Sequence, residues 1–282
     1  MTRVRPWRTT LVAATLAVVL VGCTSDGPPP SDARPETGPV SVELSFTQLL
    51  PDEGTRKGLL RVVNTGRTPL PVTGAGLDWS GYGAPFLRAQ DSTLAPGQTL
   101  DLHVLLPAAV CDEGDEPVDA VIETPDQTAT VQMSDDGETF LRHLWERGCL
   151  ADLLAGEVDV AYAPGWRLDR AAGSVEGDLV LRRQGGARDV TVTSARGSVL
   201  YDVRLPAAVT SSPEGGTVRV PLRILPGNRC DEHAIGQATA PFTFRITVRV
   251  GDDVTTKVLI VPPPRVQARA ARMLRLSCAR RG

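Results

Sequence analysis

Leu106-Pro107-Ala108-Ala109-Val110-Cys111-Asp112-Glu113 returns later in the chain as Leu225-Pro226-Gly227-Asn228-Arg229-Cys230-Asp231-Glu232. The flanks repeat as well. A Gly stands at one distance before each Pro, Gly97 and Gly216. Leu141, Leu144 and Trp145 precede Cys149 at the spacings by which Ala270, Met273 and Leu274 precede Cys278. Between the paired cysteines each copy carries a strand-like run broken by an acidic turn, Asp135-Asp136-Gly137 in the first and Gly251-Asp252-Asp253 in the second. A short motif with matched flanks on both sides is the mark of a duplicated unit.

The duplication also decides the cysteine pairing. The chain has five Cys. With Cys23 set aside for the reason given below, Cys111, Cys149, Cys230 and Cys278 allow three pairings, among which spacing alone does not choose. The repeat selects Cys111–Cys149 and Cys230–Cys278, one bridge in each copy. Loops of about 40–50 residues contribute roughly 4 kcal/mol each on the chain-entropy account.

Both copies read as β. Val40, Val42, Leu44 and Phe46 alternate with Ser41, Glu43, Ser45 and Thr47; Phe242 to Val250 and Val218 to Ile224 alternate likewise. A period of two means one face packed and one face wet, which is the pattern of antiparallel sheets. Turn signals at Asn64-Thr65-Gly66, Pro96-Gly97 and Glu214-Gly215-Gly216 bound the runs. The expected fold is all-β: two tandem immunoglobulin-like or fibronectin-III-like β-sandwich domains, each with a short helix before its last Cys. Val266, Ala270 and Met273 give the second helix its apolar side after the break at Pro262-Pro263-Pro264. The expected limits are 40–154 for the first sandwich and 157–282 for the second, with the boundary near Leu154-Ala155-Gly156.

The first 39 residues belong to neither copy. Arg3, Arg5 and Arg8 precede an uncharged apolar run from Thr9 to Gly22. That run is shorter than the roughly 20 residues needed to cross a bilayer and fits the core of a secretory signal, residues 1–22. Leu20-Val21-Gly22-Cys23 then looks like the lipobox of bacterial lipoproteins, which implies cleavage before Cys23 and acylation of its thiol. Residues 23–39, rich in Pro and without a large apolar side chain, read as a tether that reaches roughly 50 Å if extended. Stable anchoring needs more than one acyl chain. The expected location is the extracytoplasmic face of the cell membrane, where disulfides persist.

Charge divides the copies. Residues 40–156 hold 7 Lys and Arg against 18 Asp and Glu, whereas residues 157–282 hold 19 against 12. Such a split implies either halves that dock on each other or a basic half that meets an anionic partner. Arg265, Arg269, Arg272 and Arg275 recur at helical spacing and are the candidate anion-binding residues, with Arg280 and Arg281 just beyond. The alternative is a helix that caps the sandwich and leaves its arginines in water. Candidate partners are an anionic wall polymer, lipid headgroups or another envelope protein. An acidic, exported chain is a poor match for nucleic acid.

Catalytic signals are weak. His103, His143 and His233 are the only histidines. Neither a Gly-x-Ser-x-Gly elbow nor a His-Glu-x-x-His pair occurs. Cys230-Asp231-Glu232-His233 crowds acids near a disulfide, but the first copy has Gly114 where His233 stands, so Asp112 and Asp231 read as turn residues that accept local backbone N–H bonds. No metal and no cofactor are expected. Trp79, Tyr82, Tyr162 and Trp166 sit beside Gly or Pro and are candidates for stacking on a sugar or anchoring a partner; the competing reading has them plug the sandwich ends.

The lipobox, the Pro-rich tether and the element Arg229-Cys230-Asp231-x-His233-Ala234 resemble lipoproteins of high-GC Gram-positive bacteria, some of which carry Arg-Cys-Asp-Pro-His-Ala. Arg outnumbers Lys by 28 to 2, a bias in keeping with that source. Glu232 replaces the Pro here, and the first copy has Val110 for the Arg. The resemblance implies a location and an architecture, and imports no activity. The expected role is a non-enzymatic binding module at the membrane–wall interface, with a scaffold or accessory subunit of an envelope complex as the alternative. A hydrolase would need a pocket uniting His233 with an acid and a Ser.

Overall fold

The computed structural model describes residues 40–281 apart from Ala84 and Asp253. The signal segment, Cys23 and the tether lie outside the described residues. In the first copy the strands are β1 (Val42–Thr47), β2 (Lys57–Asn64), β3 (Leu70–Asp78), β4 (Phe86–Leu94), β5 (Thr99–Leu105), β6 (Asp119–Glu123) and β7 (Thr128–Gln132), followed by helix α1 (Asp135–Glu157). The second copy runs β8 (Val158–Tyr162), β9 (Arg167–Asp169), β10 (Ser174–Arg183), β11 (Val190–Arg196), β12 (Tyr201–Arg204) and β13 (Val209–Ser211). It continues with β14 (Val218–Pro226), α2 (Glu232–Gln237), β15 (Phe244–Val250), β16 (Val254–Ile260) and α3 (Pro264–Cys278).

Two antiparallel sheets form each sandwich. The first copy has the orders β1-β2-β5 and β4-β3-β6-β7; the second has β8-β10-β14 and β13-β11-β15-β16. The strand paths are the same, so the duplication read from the cysteine motif is a duplication of topology. The second copy adds two strands to the β8-β10-β14 sheet, β9 beside β10 and β12 beside β14, and β13 takes the place of β4 in the other sheet. The alternating residues fill the cores. Leu44 and Phe46 meet Val72, Leu77 and Ile122 in one core, and Val220, Leu222, Ile246 and Val248 build the other.

Both disulfides occupy the same place in their copies. Cys111 follows β5 and bonds Cys149; Cys230 follows β14 and bonds Cys278, with Cα atoms 5.4 Å apart in each. The second loop is longer chiefly because it contains α2, which has no counterpart in the first copy.

The helices depart from expectation in one respect. α3 is a short helix that ends at its Cys, but α1 spans 23 residues and runs past Cys149. Its start is Asp135-Asp136-Gly137, read above as a hairpin turn. Ser134 is the N-cap, its side chain accepting the Gly137 N–H, and the acids of the first turn favour the helix N-terminus. The hairpin turn between β6 and β7 lies instead at Thr124–Gln127, where the Thr124 N–H donates to the Gln127 carbonyl.

The far end of α1 explains its length. Leu141 and Leu144 belong to the first core, whereas Leu154 belongs to the second, with Leu153 packed against it. The expected break at Leu154-Ala155-Gly156 is therefore helix, and β8 follows Glu157 directly. Glu157 is buried. Its carboxylate accepts from Arg183 Nη2 at 3.0 Å and from the Arg188 backbone N–H at 3.1 Å, which fixes the helix end to the β10–β11 hairpin. The described residues form one compact unit.

Candidate anion-binding face

α3 begins at Pro264, a favourable first helical residue because its missing N–H has no partner to lose. Val266, Ala270, Met273 and Leu274 are buried, and the helix packs on β9, β10 and β14. Arg265, Arg269, Arg272 and Arg275 all fall on the opposite, exposed side. The helix therefore caps the sandwich and offers an arginine face at once; the two readings of the sequence are two sides of one element.

The surroundings leave these charges free. Among the described residues none of the four arginines enters an ion pair, whereas Arg167, Arg182, Arg219 and Arg223 on the strands of the same sandwich all do. Sequence reasoning missed Arg170. With Arg272 and Arg280 it lines a notch of about 300 Å³ between α3 and the β9–β10 turn, floored by Leu168, Met273 and Leu276. Asp169 also lines the notch, but its Oδ1 accepts the Ala171 and Ala172 N–H groups at 2.9 Å each. Three guanidinium groups thus border one notch without a carboxylate bonded to any of them. Planar, permanently charged donors of this kind suit a phosphate or carboxylate.

Of the two roles proposed for the charge split, docking of the halves uses little of it. Arg245 and Glu53 make the one ion pair between the sandwiches among the described residues. Arg265, Arg269, Arg272 and Arg275 are exposed.

The aromatic candidates are placed differently from a contact platform. Trp79, Tyr82 and Trp166 are 2%, 6% and 3% exposed. Trp79 packs edge-on against Tyr82 and Trp145, and the Arg142 guanidinium lies 5.3 Å from its ring centroid. The Trp166 indole lies over Gly177, where a side chain would collide with it, and its Nε1 donates to the Asp178 carbonyl at 3.1 Å. Tyr162 packs on Trp166 with centroids 5.3 Å apart. The large apolar surface of these rings is better covered by the sandwich ends than by water.

The histidines lie apart, on β5, α1 and α2, and each is exposed. Asp231 serves as the N-cap of α2, its Oδ1 accepting the Ala234 N–H at 2.8 Å, and it pairs with Arg229. The Arg229 hydrogen bond first, and that N–H second, lower its carboxyl to about 2. Among the described residues no group of three or more His, Cys, Asp or Glu converges as a metal site would require, and no helix is long and apolar enough to cross a membrane.

No protein-family model matches the sequence, and the search of curated proteins returns no match. Solved structures give distant likenesses. Red sea bream transglutaminase is 14% identical over 78% of this chain and 31% of its own, with a TM-score of 0.27. The calcium-binding domain CBD12 of CALX1.1 is 14% identical over 72% and 78%, with a TM-score of 0.21. The B domain of a biofilm-associated protein is 8% identical over 84% and 90%, with a TM-score of 0.18. This chain spans under a third of the transglutaminase, and none of the three assigns a role to a residue here.

Proposed function

We propose that the protein is a lipoprotein held by acylated Cys23 at the extracytoplasmic face of the cell membrane, where the second sandwich binds a phosphate-bearing anionic surface and catalyses no reaction. The observation that carries the reading is the set of arginines on α3 and its notch that make no ion pair among the described residues, on a sandwich where Arg167, Arg182, Arg183, Arg219 and Arg223 of the strands are each matched with an acid. Multiple exposed guanidinium groups gain affinity for an anionic surface by release of counterions and lose it as salt rises. The lipobox and tether supply the location.

The test uses the full chain with Cys23→Ala, so that no acyl group contributes. It is mixed with vesicles of phosphatidylglycerol, vesicles of phosphatidylcholine, and wall fragments bearing phosphate polymers, across a salt series. Binding to an anionic arm that fades with salt, and that is lost on replacing Arg265, Arg269, Arg272 and Arg275 by Gln, supports the reading. Binding to neither anionic arm, or binding indifferent to salt, overturns it. The scaffold reading gains from α1, which joins both sandwiches in one body; crosslinking in intact cells that returns one recurrent protein neighbour would favour it.

A further inference from the structure

A cavity lies between the sandwiches, about 800 Å³ in volume and lined from both copies and from the middle of α1. Its existence follows from the sequence of that helix. Leu144 anchors α1 in the first core and Leu154 in the second, but two of the lining residues between them, Gly148 and Ala151, are small. The helix therefore bridges the two cores without filling the space between them. The lining face of the helix runs from Leu144 to Ala155, about 17 Å at 1.5 Å per residue. Leu106, Pro107, Val160, Val258 and Leu259 complete a largely apolar wall. The volume falls within the range of small-molecule sites.

One polar group in this wall is out of keeping with it. Arg147, on α1 one turn before Ala151, lines the cavity and is half-buried. Its Nε is buried without a hydrogen-bond partner, and among the described residues Arg147 makes no ion pair. A buried guanidinium N–H without an acceptor is costly, and an anion placed against it removes that cost. Arg56 and Lys257 also reach the lining and make no ion pair among the described residues. The lining acids are Asp152 and Asp159, and Asp159 is taken by Arg182 at 2.9 Å. The unmatched charge of the cavity is positive, while most of its wall is hydrocarbon.

An occupant that satisfies both properties has an anionic head and an apolar body. We propose that the cleft between the sandwiches binds a single-chain amphiphile, with its anionic head on Arg147 and its chain along the Gly148–Ala151–Ala155 face of α1. The site is separate from the arginine face of α3, so the two proposals stand or fall independently.

The probe is palmitate, titrated into the full chain carrying Cys23→Ala, with hexadecanol as the uncharged control of equal length. One palmitate per chain is expected, with hexadecanol weaker by about tenfold, the effect of one lost charge-assisted contact. Arg147→Gln weakens palmitate to the level of hexadecanol. Ala151→Trp, at an exposed position on the cavity wall, fills the space and abolishes binding of both. Asp152→Asn strengthens palmitate by removing the one free lining carboxylate. Unchanged melting temperatures show that the variants fold. Absence of palmitate binding, or binding that survives Ala151→Trp, overturns the site. Equal affinity for palmitate and hexadecanol overturns the role of Arg147.

Discussion

Arg245 on β15 pairs with Glu53 in the loop between β1 and β2, joining the two sandwiches across 192 residues of sequence. Both side chains are partly exposed, and such pairs contribute about 0–1 kcal/mol. The Leu154 side chain, buried in the second core at the end of a helix rooted in the first, contributes more. Glu53→Gln is expected to leave the urea midpoint nearly unchanged, whereas Leu154→Ala lowers stability by about 2–5 kcal/mol. Equal effects of the two substitutions would place the coupling in the ion pair instead of the helix.

Glu157 and Arg183 are a different kind of pair, each side chain only 8% exposed. Removing one partner strands the other charge in the interior. Glu157→Ala is expected to cost about 3–5 kcal/mol, and the double replacement Glu157→Leu with Arg183→Met recovers much of that loss. Chemical denaturation of the three variants measures both figures. A double variant no better than the single would show that the pair acts through its backbone contacts.

Two glycines separate room from collision. A Cβ on Gly177 would lie 2.3 Å from Trp166 Cδ2, so Gly177→Ala forces the indole out and costs about 1–3 kcal/mol. At Gly156, inside α1, a Cβ meets nothing within 4 Å. Gly156→Ala is therefore expected to stabilise by about 0.5–1 kcal/mol through helix propensity. Thermal unfolding with tryptophan fluorescence distinguishes the two, since only the first disturbs an indole.

All three tyrosines are held above the ordinary phenol range by burial. Tyr82 and Tyr201 are pushed up to about 12, each with a smaller opposing effect from a nearby arginine, and Tyr162 is raised further. A raised acid is favoured in its neutral form by the fold. Its stabilisation is complete below the unfolded value of about 10 and is lost as pH climbs through the folded value. Spectroscopic titration should show no tyrosinate step near pH 10, with ionisation and loss of structure together toward pH 12. A free step near 10 would place at least one ring in water.

Asp231 gives the opposite dependence. Its lowered carboxyl holds α2 above the unfolded value near 4, and that support is lost as pH falls toward about 2. The Ala234 amide is expected to lose hydrogen-exchange protection over that interval before the strands do. Protection of Ala234 that is flat across it would remove Asp231 as the cap.

The duplicated sandwich and its bridges are written in short-range patterns: the alternation of Phe244 to Val250, and a Cys motif that recurs with its flanks. The arginines of α3 follow from spacing alone in the same way. What escaped the sequence depends on contacts between distant segments. Leu153 and Leu154 read as the tail of one copy because nothing local says that their partners lie in the next. Asp135 and Asp136 suit a turn or a helix start; the deciding signal is Ser134 before them with Gly137 within capping reach. Arg170 is an ordinary loop residue until folding sets it beside Arg272 and Arg280. Arg147 is one more charge on a helix until two cores leave a gap around it. Trp79 and Trp166 looked available because Gly and Pro surround them, yet both rings pack inward against glycines, Gly81 and Gly177, that leave them room.

Because its last turns are core to the second copy, α1 makes the repeat indivisible. A gene fragment ending at residue 154 would leave Leu153 and Leu154 as an exposed greasy stub, and one starting at residue 157 would lack the plug those residues provide. Neither copy is thus a free-standing module; the two sandwiches share one helix and fold as one part.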